Sequence, residues 1–290
     1  MPSTDLVLNV VFAGVLTGLV YGLLALGLSV IFGVMRVVNF AHGELMTLAM
    51  YATVIACSAL ETDPLLVLVP IALAFFGLGY VLQAGVINRF ITRPEHAQFL
   101  LLLAIATIGA NAQLMAFGPD AQGVQTDYQL DSIELGPVLI DTVRVYAAAA
   151  ALITTGLLLA FFRKTLVGKA IRACADNHLG AKVVGLPVER LYALTFGLGT
   201  AAVAVAGTLL VLMVEVTPAA GPAFTLLSFV IVIVGGLGSM AGALVGGVLI
   251  GVSESLAGLF VTPSAKSMIS FALLMAVLLL RPAGLMGKNA

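Results

Sequence analysis

The residues able to do chemistry are few and fall in three places. Asn39, His42 and Glu44 lie in a twelve-residue polar break, MRVVNFAHGELM (Met35–Met46), between two apolar runs. An imidazole beside a carboxylate could ligate a metal or work as an acid–base pair. Metal is disfavoured here, because the chain has three histidines and neither a His-x-x-x-His nor a Cys-x-x-Cys pair. The segment is expected to be a cytoplasmic-side turn or broken helix, its side chains bonding backbone groups that lipid cannot satisfy. Glu254 sits alone inside a second apolar run, VSESLAGL. A carboxylate at membrane depth costs a few kcal/mol unless it faces water or a partner. Two readings stand: it lines a translocation path or subunit contact, or it is bonded to Ser253, Ser255 or a neighbouring helix.

The third place is RKTLVGKAIRACADNHLGAKVVGLPVER (Arg163–Arg190), which holds six of the thirteen basic residues. Its spacing predicts a helix over Gly168–Val184, with Ile171, Cys174, Ala175, Leu179 and Val183 on one side. Lys169, Arg172, Asp176 and Lys182 fall on the exposed side. Gly185 and Pro187 stop the helix. Such a helix suits a docking surface for a soluble partner; the alternative is a basic loop that only fixes topology.

Other chemistry is not expected. The chain has no G-x-x-x-x-G-K-[ST] phosphate loop, no G-x-S-x-G elbow and no chain of carboxylates for a proton relay. Catalysis and a cofactor within the chain are therefore not expected. Cys57 and Cys174 make no disulfide framework, and a net charge of −1 points to no nucleic-acid partner.

The elements that must position these residues are membrane spans. The 290 residues are 61% hydrophobic and 9% charged, and apolar stretches near twenty residues recur throughout. The fold class is an all-α polytopic membrane protein of about nine spans, or eight if span 7 is re-entrant. The spans are Leu6–Val34, Leu45–Leu60, Leu65–Ile87, Ala97–Phe117, Val143–Phe162, Leu191–Met213, Ala223–Val234, Ala241–Val261 and Ser267–Leu280. The first is expected to be retained, since MPSTDLVLNV lacks a basic n-region. Residues 1–290 read as one transmembrane domain, with a basic loop at 163–190, an acidic loop at 118–142 and no evident internal repeat.

Eleven basic residues, Arg36, Arg89, Arg93, Arg281, Lys288 and the six of the central loop, fall on one side; Arg144 and Lys266 fall on the other. The positive-inside rule then puts the N-terminus outside and the C-terminus in the cytoplasm. Gly14, Gly18 and Gly22 make a face for close helix approach, and Gly238, Gly242, Gly246, Gly247 and Gly251 make a second. These faces either pack tightly or line helices that slide during gating. Asn111 and Gln113 are expected to bond between helices.

Four blocks resemble permease subunits of branched-chain amino acid ABC importers. They are YGLLALGLSVIFGVMRVVNFAHGELM (Tyr21–Met46), Gly168–Leu210, VIVIVGGLGSMAGALVGGVLIGVSESL (Val230–Leu256) and FALLMAVLLLRPAGLMG (Phe271–Gly287). The resemblance implies a bacterial inner-membrane protein with four partners: two cytoplasmic ATPase subunits, a paralogous permease and an external solute-binding protein. ATP and magnesium would be held by the ATPases. The helix in the central loop would be the coupling helix, with Ile171, Ala175 and Leu179 as apolar anchor and Lys169, Arg172 and Lys182 at the rim. Relatives with this pattern also carry urea, amides or aromatic acids. A stand-alone secondary transporter is the other function class, with Glu254 as its thin support.

Overall fold

The structure is a computed structural model that describes residues 4–91, 93–135, 138–260 and 266–287. Lys288 and residues 261–265, between the body of the expected span Ala241–Val261 and that of Ser267–Leu280, lie outside the described residues. Among the described residues, eight helices are long and apolar enough to cross a membrane. They are α1 (Thr4–Met35), α2 (His42–Leu60), α3 (Pro64–Gly85), α4 (Glu95–Phe117), α5 (Thr142–Lys164), α8 (Val188–Leu210), α9 (Gly221–Gly235) and α10 (Met240–Phe260). Together with the 3-10 turn Pro218–Ala220 before it, α9 spans eighteen residues, Pro218–Gly235. An apolar helix, α11 (Lys266–Leu280), follows at fifteen residues. Two short polar helices, α6 (Leu166–Asp176) and α7 (His178–Val183), stand between α5 and α8.

The acidic loop is more structured than expected. It contains an antiparallel hairpin, β1 (Ser132–Leu135) with β2 (Val138–Asp141), in the register Ser132 to Asp141. Asn9 of α1 accepts a hydrogen bond from Leu139 N at 2.9 Å, which ties the hairpin to the start of α1. Each strand is only four residues long, too short for a periodicity reading to separate it from loop.

α1 and α8 form the core. They cross antiparallel at Gly27 and Gly199, where each glycine faces the other's carbonyl. α1 packs along α10, α8 packs along α3, and α2 meets α9. The helices thus fall into two halves, α1–α4 and α8–α11, that run in opposite directions. No repeat was evident in the sequence, yet the packing is that of an inverted repeat. The glycine faces explain the closeness. A Cβ on Gly18 would lie 2.7 Å from Gly247 O. Gly242 instead packs against Gly235 of α9. α10 therefore carries two glycine faces, one for α1 and one for α9.

Candidate functional site

Both halves contain a helix that starts inside the bundle. After Met35 the chain turns back through Arg36–Ala41, and α2 begins beside Leu24 of α1. His42 Nε2 donates to Leu24 O at 3.0 Å. Leu24 lies eleven residues before the end of α1, so α2 starts about 16 Å in from that end. The expected broken helix is therefore present, and its polar residues hold it. Asn39 Oδ1 accepts from Ala41 N at 3.1 Å, closing the turn before α2. In the other half the chain leaves α8, makes the 3-10 turn at Pro218–Ala220 and starts α9 at Gly221.

The two starts meet. Gly43 N donates to Thr225 Oγ1 at 2.9 Å, and a Cβ on Gly43 would collide with Gly221 O. Glu44 is buried against the same place: its carboxyl packs on Gly221, at the positive N-terminal end of α9. Gln113 of α4 donates from Nε2 to Glu44 O at 3.2 Å and to Glu44 Oε2 at 3.3 Å. Asn39, His42 and Glu44 thus join α1, α2, α4 and α9. The expected bond between helices is made by Gln113 but not by Asn111, which donates from Nδ2 to Thr107 O of its own helix at 2.7 Å. Thr225 and Gly221 were not singled out in the sequence, although Gly221-x-x-x-Thr225 repeats the spacing of Gly43-x-x-x-Thr47.

Glu254 does not join this cluster. Ser270 Oγ of α11 donates to Glu254 Oε1 at 2.8 Å, and Tyr21 of α1 faces the same carboxylate. Ser253 bonds Leu249 O in its own helix instead. This is the neighbouring-helix arrangement of the two considered.

The basic segment departs from expectation in two ways. It is two helices, not one: Asn177 leaves the helical region at φ −152°, ψ 97° and accepts from Gly180 N at 2.9 Å, so its side chain caps α7 instead of continuing α6. The expected apolar anchor is also split. Ile171 and Cys174 are fully buried within this chain, against α1, α5 and α8. Ile171 is therefore an anchor to its own body and is not available to a partner. Ala175 is half-buried, while Leu179 is 65% and Val183 87% exposed. Lys169, Arg172, Asp176 and Lys182 are exposed as expected, and Gly185 ends α7 at φ +84°. Burial pushes the Cys174 thiol up from its ordinary range.

A cavity of about 950 Å³ opens beside α6, between the ends of α1, α9 and α10 and the tail at Pro282–Gly287. Arg36, Lys169, Arg172 and Asp176 are among the residues that line it.

Comparison with known proteins places this arrangement. The family model described as branched-chain amino acid transport system / permease component matches residues 10–278. The high-affinity branched-chain amino acid transport system permease protein LivH of Escherichia coli K12 is 32% identical, over 97% of this chain and 96% of its own. BraD of Pseudomonas aeruginosa, described as the same kind of permease, is 28% identical over 99% and 98%. A probable branched-chain amino acid transport permease of Methanocaldococcus jannaschii is 29% identical over 92% and 88%. No solved structure gives a significant match.

Proposed function

Since the chain belongs to the permease-component family of branched-chain amino acid transport systems, we propose that it is the membrane subunit of an ATP-driven ABC importer. It sits as one multi-pass domain in the bacterial inner membrane, with the basic end toward the cytoplasm. Branched-chain amino acids, or similar small polar solutes, are its cargo. An external binding protein delivers them at the acidic end, and two cytoplasmic ATPase subunits hold ATP and magnesium. The chain itself performs no catalysis, and a second, paralogous permease completes the path.

The observation that carries the reading is the surface of α6 and α7. Apolar Leu179, Val183 and Val184 stand exposed among Lys169, Arg172 and Lys182, outside the spans. An exposed apolar knob with a basic rim is what a soluble partner can grip. Because Ile171 and Cys174 fix α6 to the body, a pull on α7 reaches α1 and α8. The joint at Gly43 and Gly221 is where such a displacement would turn one half against the other.

Gentle affinity purification from native membranes tests this, with mass spectrometry of the proteins that accompany the chain. Two phosphate-loop ATPases and a second permease are expected. The chain purifying alone, while still moving solute without ATP, would overturn the reading.

A further inference from the structure

We infer that the outward face of α4 carrying Thr107, Asn111 and Met115 is where a second permease chain packs inside the membrane. The inference rests on the importer reading above and adds to it the surface that makes the contact.

α3, α4 and α5 are the least buried spans. On α3 the outward residues include Leu66, Val69, Leu73 and Val81; on α5 they include Leu152 and Leu157. Those faces are apolar, as lipid requires. α4 differs. Its midpoint is Ala106, so Thr107 lies at the centre of the span. Asn111 lies five residues beyond the midpoint, about 7.5 Å along the axis and well inside a hydrocarbon half-thickness of about 15 Å. Both side chains are exposed.

Their hydrogen bonds are incompletely used. Thr107 Oγ1 donates to Leu103 O at 2.9 Å, and Asn111 Nδ2 donates to Thr107 O at 2.7 Å. Among the described residues, Asn111 Oδ1 and the second amide N–H have no protein partner. Among the same residues, no other membrane-spanning helix leaves a carboxamide exposed. Lipid tails can neither donate nor accept. The occupant of this face must therefore lie within the membrane and offer both a donor and an acceptor at that depth. Soluble ATPases and an external binding protein do not reach it. A helix of a second permease does, and exposed Ala104 and Ala112 beside the polar pair let it come close.

The inner side of α4 is already committed. Gln113 grips Glu44, and a Cβ on Gly109 would lie 3.4 Å from Glu44 Cβ. A partner helix pressed on Asn111 thus bears on the Glu44 joint through one helix.

The test uses the full complex in native membranes. A photo-crosslinking p-benzoylphenylalanine replaces Ile108, which is 68% exposed, in one variant and Met115, which is 88% exposed, in another, so that Asn111 is kept in both. Leu73 and Leu152 serve as lipid-facing controls. The expected result is a covalent product with the mass of two permease chains from positions 108 and 115 only. Its peptides identify a second copy or a paralogue, and either supports the inference. Lipid adducts alone from both α4 positions, with ATPases still co-purifying, would overturn the α4 contact and leave the importer reading standing. Absence of any second permease and ATPase from the purified material would overturn both. As a second readout, Asn111→Leu should lower the paired fraction severalfold and Asn111→Gln should restore it.

Discussion

Gly43 N donates to Thr225 Oγ1 across 2.9 Å, so the first turn of α2 is fastened to the first turn of α9 although 182 residues separate them. This bond joins the two oppositely directed halves at the point where each has a broken helix. Thr225→Val removes the acceptor and leaves a buried N–H unpaired, at a cost of about 1–3 kcal/mol. The purified complex should melt at lower temperature and transport more slowly. Thr225→Ser keeps the hydroxyl and should recover both. An unchanged melting temperature for Thr225→Val would remove the bond from the account.

Glycine at this joint is a matter of space. A Cβ on Gly43 would overlap Gly221 O and approach Thr225 Oγ1 to 2.6 Å. Gly43→Ala should therefore destabilise the protein by about 1–3 kcal/mol, the usual cost of overpacking. Gly77 of α3 is the control, since nothing lies within 4 Å of its Cβ direction. Gly77→Ala should stay within about 0.5 kcal/mol of the parent. Thermal aggregation midpoints in detergent measure both.

The basic segment separates docking from folding. Val183→Asp alters an exposed knob and should reduce ATPase co-purification severalfold while the permease yield holds. Ile171→Asp buries a charge in the body and should lower the permease yield itself. If Val183→Asp leaves co-purification unchanged, α7 is not the grip.

Cys174 reports the same packing through its thiol. It is 1% exposed, and burial raises its pKa. The thiolate is the reactive form, so its share falls at neutral pH and grows only above the ordinary thiol range. In a Cys57→Ala background, maleimide should label Cys174 slowly at neutral pH and faster as pH rises. Leu179→Cys, built together with Cys57→Ala and Cys174→Ala, should label quickly. Equal rates at neutral pH would show that α6 does not bury Cys174.

The spans were legible in the sequence because lipid demands long apolar runs, and the helix ends agree closely with α1, α4 and α10. The polar break at Asn39, His42 and Glu44 was legible for the complementary reason: lipid does not tolerate such residues unless they are bonded inside. What joins them was not legible. Thr225 is an ordinary threonine in an apolar run until the fold places Gly43 beside it. The same holds for the inverted halves, since their correspondence lies in packing and direction more than in residue identity, of which the Gly-x-x-x-Thr spacing is one trace. The break at Asn177 is not legible because the apolar spacing continues through it, and a side chain that caps the next turn outweighs that periodicity. The sequence places Ile171 on a partner-facing side because periodicity shows that a face is apolar and does not show what covers it.

In the proposed importer, this chain moves amino acids when partner ATPases hydrolyse ATP at its basic end. The most direct measurement is leucine uptake into proteoliposomes holding the co-purified complex, with ATP on the side of α6 and α7 and binding protein on the other. Uptake that requires ATP and stops when the ATPases' phosphate-loop lysine is replaced is the predicted result. Uptake that continues without ATP, driven by an ion gradient, would contradict the account.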